Sequence, residues 1–163
     1  MTTTVRRTLL ALATVVFALV GGIAGAAPAS ATGTATLTGI RTGQHPGYDR
    51  IVLDLTGSRT GLSPSGRWVD ELIADGSGEI VWLTGESFVE VPVHGAAAHN
   101  DAGDRTYPGP DRFRTRDLRN VMAVALTGDF EGVLSIGLGT RYHSWVRVFT
   151  LGSPTRVVID VGS

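Results

Sequence analysis

Arg50-Ile51-Val52-Leu53-Asp54-Leu55 and Arg156-Val157-Val158-Ile159-Asp160-Val161 are two versions of one hexapeptide, with Arg, Val and Asp in register and conservative apolar exchanges elsewhere. Successive side chains of a strand point to opposite faces, so in each copy Arg, the middle Val and Asp share one face and three aliphatic residues share the other. The aliphatic face has to be covered, and the charged face stands outward. Antiparallel pairing with Val52 opposite Val158 sets Arg50 across from Asp160 and Arg156 across from Asp54. Parallel pairing in the same register would oppose like charges and destabilise the sheet. An antiparallel pair with two outward ion pairs is therefore predicted.

Apolar runs of the same kind recur along the chain, separated by Gly, Pro, Asp or Ser. They predict nine short strands, at 34–42, 50–55, 68–73, 79–83, 88–93, 121–127, 133–138, 145–151 and 156–161. Val89, Val91 and Val93 alternate with Phe88 and Glu90, and Leu134, Ile136 and Leu138 with Ser135 and Gly137, so each strand has one buried face. The 22 glycines point the same way, because Gly is poor in helices and common in turns. The class is all-β, a sandwich or a barrel.

Residues 95–120 break the pattern: Ala96, Ala97, Ala98, Asp101, Asp104, Pro108 and Pro110 precede Arg112, Arg114, Arg116 and Arg119. A connection of that length is expected to be a long loop in the second half, mobile or ligand-facing, contributing little stability. Thr115 is placed to cap one helical turn through Leu118.

A length of 163 residues fits one domain, and 42% hydrophobic against 18% charged residues is too apolar for a disordered chain. The formal net charge of −1 provides no clustered basic footprint, which excludes nucleic acid as a partner. With no cysteine there is no disulfide, no thiolate metal site and no cysteine nucleophile. Residues 1–31 read as a secretory signal peptide: Arg6 and Arg7, an apolar run from Leu9 to Val20, then the small-x-small exit Ala29-Ser30-Ala31. An uncleaved anchor is the alternative, and general or twin-arginine export both remain open. Removing this segment takes two arginines and no acid, so residues 32–163 form a single secreted domain with a net charge of about −3 and no stable membrane span.

The echoed strands, together with Gly47-Tyr48-Asp49-Arg50, Trp68-Val69-Asp70-Glu71, Gly128-Asp129-Phe130-Glu131-Gly132 and Arg147-Val148-Phe149, resemble the AMIN family. Its members are non-catalytic domains found before bacterial cell-wall amidases and in pilus secretins. The closer resemblance is to the AMIN-like domain of secreted actinobacterial proteins. It runs from about Thr34 to Val161 and implies a β-sandwich of two sheets. For the AMIN relatives it implies attachment to peptidoglycan or targeting to the septum. Many AMIN-like members resemble lipoproteins with a processing-site Cys. This chain lacks one, which points to free secretion or retention by the wall alone.

Tyr48, Trp68, Trp82, Tyr107 and Trp145 offer flat amphipathic faces to sugar rings, or else serve as core and rim. Arg50 and Arg156 can fork onto the carboxylates of peptidoglycan stem peptides, or else pair across the strands with Asp54 and Asp160. The tentative binding set is thus Tyr48, Arg50, Trp68, Tyr107 and Arg156. His94 and His99 lie near Asp101 and Asp104 but without metal-ligand spacing, so neither metal nor cofactor is expected. Asp129 and Glu131 flank Phe130 either as an acid and base pair or, preferably, in a polar turn with Phe130 folded over the core. No Gly-x-Ser-x-Gly elbow and no phosphate loop occur. Three classes follow: a non-catalytic envelope module binding peptidoglycan or another wall polymer, an adaptor docking an envelope protein on a sheet edge, and, least favoured, a hydrolase.

Overall fold

The computed structural model describes residues 33–163, so the signal-peptide reading falls outside the described residues. Eleven strands follow in order: β1 (Ala35–His45), β2 (Tyr48–Thr56), β3 (Ser63–Pro64), β4 (Arg67–Val69), β5 (Ser87–His94), β6 (Ala96–Ala97), β7 (Arg112–Arg114), β8 (Val121–Phe130), β9 (Val133–Thr140), β10 (Val146–Leu151) and β11 (Arg156–Gly162). They form a two-sheet β-sandwich, one sheet ordered β10-β11-β2-β1-β6 and the other β3-β5-β9-β8-β7, with β4 also on β5. No helix occurs among the described residues. Thr115 caps none; its hydroxyl donates to the carbonyl of Val121 and fastens β7 to the start of β8.

β11 pairs antiparallel with β2, and Val158 stands opposite Val52, Asp160 opposite Arg50 and Arg156 opposite Asp54. Ile51, Leu53, Leu55, Val157, Ile159 and Val161 point inward, where they meet Val89, Val91, Val93, Leu134, Ile136 and Leu138 of the second sheet. Side chains of this size each contribute about 1.5–3 kcal/mol when fully buried, which makes this double layer the main stabilising term. The β8–β9 hairpin closes through Glu131 and Gly132, both at positive φ, the two-residue turn whose twist matches the strands. Phe130 before that turn is 65% exposed and does not fold over the core.

The segments 68–73 and 79–83 are not two full strands. Residues 70–86 form a strap across the outer face of the second sheet, with β4 ending at Val69 and a single bridge between Ile73 and Ile80. The arms bond to each other, Val81 N–H donating to Leu72 O at 2.7 Å and Ala74 N–H to Glu79 O at 2.9 Å. The strap lies close because the sheet beneath lacks side chains. A Cβ on Gly137 would stand 2.7 Å from Leu72 Cδ1, and one on Gly139 would stand 2.1 Å from Thr84 O. Leu72 fills the space, and β9 is consequently buried on both faces rather than one.

Residues 95–120 also differ from expectation: they are knitted into the sandwich. Ala96 and Ala97 form β6, pairing in parallel with Ala35 and Thr36, and β7 pairs with β8. Ala98, Tyr107 and Leu118 are buried in the main core, and Thr106 Oγ1 donates to Leu37 O at 2.7 Å. The Asn100 side chain closes the intervening turn by accepting from Ala102 N–H and Asp104 N–H.

Candidate functional site

Tyr48, Arg50 and Arg156 all lie on the outward face of the five-stranded sheet, where strand alternation puts them, but only Tyr48 and Arg50 are neighbours; Arg156 stands opposite Asp54 at the far end of the β2–β11 ladder. Trp145 precedes β10, and Gly162 N–H donating to Trp145 O at 3.0 Å extends the β10–β11 ladder to it. Arg147 and Phe149 share its face by the period of two. The Tyr48 ring stacks on His45 with centroids 4.8 Å apart and lies 6.1 Å from Trp145. The Arg50 guanidinium stands 5.2 Å from the Tyr48 centroid and 5.7 Å from that of Phe149, and Arg147 covers Phe149 at 5.0 Å. Aromatic rings and guanidinium groups thus alternate across the end of β2, β11 and β10.

Glycine and a buried polar hub position this row. A Cβ on Gly162 would stand 2.5 Å from Trp145 Nε1, so the glycine provides the seat on which the indole edge rests. Asn120 is buried and holds the turn leading to Trp145: its side-chain N–H donates to Tyr142 O and Gly162 O, and its side-chain oxygen accepts from Arg141 N–H and Tyr142 N–H. Its own backbone is held by Asp49, whose carboxylate accepts from the N–H of Arg119, Asn120 and Val121 at 3.1, 2.6 and 2.9 Å. Asp49 is fully buried. It precedes Ile51 on the inward face of β2, and sequence reading missed it by starting that strand at Arg50.

The ion pairs on this face are only partly those expected. Arg50 grips Asp160 through two bonds of 2.7 and 2.8 Å. Asp54 is held by Arg41 of β1, also through two bonds, each 2.6 Å, while Arg156 Nε donates to Pro154 O. Arg41 reaches Asp54 because β1 lies on the other side of β2, a neighbour that the two-strand reading did not include. The hydrogen bonds from Arg41 hold the Asp54 carboxyl below the usual carboxylate range, against the opposing effect of burial. A carboxyl with a depressed folded pKa contributes stability that is complete above its unfolded pKa, about 3.9, and disappears as pH falls through the folded value. The urea midpoints of wild type and Arg41→Ala are expected to differ by a constant amount from pH 7 down to about pH 5 and to converge below about pH 4. A gap that persisted unchanged to pH 2 would contradict the pairing.

Trp68 and Tyr107 lie elsewhere. Trp68 is in β4 of the other sheet, packs against the core and stacks on His143 at 3.9 Å. Tyr107 is 5% exposed, and burial raises its hydroxyl pKa, so it has no face to offer a sugar. A hollow of about 590 Å³ beside the strap is lined by His99, Arg105 and Asp129, but these groups are engaged: His99 Nδ1 lies 2.7 Å from Asp129 Oδ2, and Arg105 pairs with Asp111 at 2.6 Å. Asp129 also accepts from Ala98 N–H, so it fastens residues 98–99. Ser135 Oγ donates to Asp75, and no hydrogen bond among the described residues joins that pair to His99 and Asp129. No group of three or more potential metal ligands converges among the described residues, and no helix there is long and apolar enough to cross a membrane.

The two sheets, with an aromatic and guanidinium row on the outward face of one of them, define an all-β sandwich domain. The chain belongs to the AMIN-like family, since the family model of the AMIN-like domain matches residues 35–163, essentially all of the described sandwich. Comparison with curated proteins and with solved structures gives no match.

Proposed function

We propose that the protein is a secreted, non-catalytic module that holds to peptidoglycan or another wall polymer through the outward face of its five-stranded sheet. The observation that carries this reading is the row His45, Tyr48, Trp145, Arg50, Phe149 and Arg147, open on one side of the sandwich while the strap covers the opposite side. Tryptophan, tyrosine and arginine contribute most to binding when preorganised, and here each is fixed by a neighbouring ring, a carboxylate or a glycine seat. Membership of an envelope-domain family and the signal-like residues 1–31 support the same location.

A second reading has its own support. β10 is the end strand of its sheet, so it has an edge on which an envelope protein could add a strand. Co-sedimentation of the purified protein with protein-free sacculi separates the two. Retention is expected for the wall module; full recovery in the supernatant would favour the adaptor. Release of soluble muropeptides from the sacculi would overturn the non-catalytic reading.

A further inference from the structure

Four arginines of the outward face have been located, and their bonding is unequal. Arg50 is closed onto Asp160 and Arg41 onto Asp54, each through two hydrogen bonds. Arg156 stands opposite the Asp54 carboxylate and donates Nε to Pro154 O. Arg147 stands opposite Asp160, but both oxygens of that carboxylate accept from Arg50, and none of the five ion pairs among the described residues uses Arg147, which is exposed with its guanidinium over the Phe149 ring. Trp145, two residues away on the other side of Arg147 and on the same face, is 52% exposed. Two residues of strand span about 7 Å between Cα atoms, close enough for both side chains to meet one saccharide ligand. Tyr48 is less available, because His45 stacks on it and Arg50 lies against it.

We infer that the ligand of this face is an acidic saccharide, whose sugar ring stacks on Trp145 while its carboxylate is taken bidentately by Arg147. A guanidinium without a carboxylate partner can accept one from a ligand without first breaking an internal pair, whereas Arg50 would have to leave Asp160 nearly buried and unpaired. Stacking on an indole provides affinity for the sugar, and the arginine fork selects for the acid. The inference rests on the outward face being the wall-binding face. The carboxylate can come from the stem peptide of peptidoglycan or from a uronic acid of another wall polymer.

Calorimetric titration of the purified protein tests this with four probes: a disaccharide tetrapeptide with free carboxylates, the same compound fully amidated, an oligogalacturonate and a neutral N-acetylglucosamine tetramer. Wild type is expected to bind at least one of the two acidic probes tenfold or more tightly than the neutral tetramer. If that probe is the muropeptide, amidation should abolish the advantage; if it is the oligogalacturonate alone, the source is a uronic acid. Arg147→Gln should remove the preference for acid, bringing the acidic probe down to the affinity of the neutral tetramer. Trp145→Ala should weaken acidic and neutral probes alike by about tenfold. Equal binding of acidic and neutral probes by wild type, or discrimination retained in Arg147→Gln, would overturn the inference. If sacculi still retain wild type in that case, the wall module stands and only its ligand class fails; loss of sacculus retention would remove the module itself.

Discussion

Asp49→Ala is expected to lower stability by about 4 kcal/mol, the largest loss for any single side chain outside the apolar core. Its carboxylate satisfies three successive backbone N–H groups, and the bonds to Asn120 and Val121 are fully buried. Truncation leaves these donors with no partner and with no route to water, so the full desolvation cost is felt instead of the modest net value of a typical hydrogen bond. Asp49→Asn should cost about half as much, since one acceptor oxygen survives but an amide N–H₂ is brought against N–H donors. Urea denaturation checks both. A loss under about 1 kcal/mol for Asp49→Ala would show that the hub closes around water or a neighbouring group. The same variant should loosen the turn that carries Trp145, because Asn120 lies between Asp49 and that turn.

Gly139→Ala should cost about 2–3 kcal/mol for a different reason. The new Cβ would stand 2.1 Å from Thr84 O and 2.9 Å from Thr84 C, which are backbone atoms that cannot rotate away. Either the strap lifts from the sheet or β9 shifts, and both uncover Leu72. Gly76→Ala is the matched control, with nothing within 4 Å of its Cβ and no positive φ, and it should change stability by under about 0.5 kcal/mol. Thermal melts of the two variants test the account of the strap. Equal melting temperatures would mean that the strap contributes little.

The register of β2 and β11 was legible because apolar alternation and paired charges give the same alignment, and a slip of one residue would turn Ile51 and Ile159 outward. The strands at 68–73 and 79–83 were misread because the deciding information lies far away in sequence. Alternating apolar residues fit a ladder strand, and only the bare backbone of Gly137 and Gly139 lets those residues lie over a sheet instead of in one. Residues 95–120 failed for the opposite reason: Ala96, Ala97 and Ala98 are too small to give a strong apolar signal, yet they are buried by close backbone approach. At the site, alternation was enough to align Tyr48 with Arg50, and it carries Trp145, Arg147 and Phe149 as well. It could not indicate that Tyr107 is buried, that Trp68 is covered by His143, or that Arg41 displaces Arg156 from Asp54.

The central claim is that the outward face of the five-stranded sheet, and not the strap side, holds the wall. It is tested most directly by co-sedimentation with protein-free sacculi of two variants of equal thermal stability, Trp145→Ala combined with Arg147→Gln on one side and Trp82→Ala on the other. Trp82 is 79% exposed on the strap, so it matches Trp145 in kind but not in face. The account predicts that the first variant remains in the supernatant while the second sediments like wild type; loss of retention with Trp82→Ala alone would contradict it.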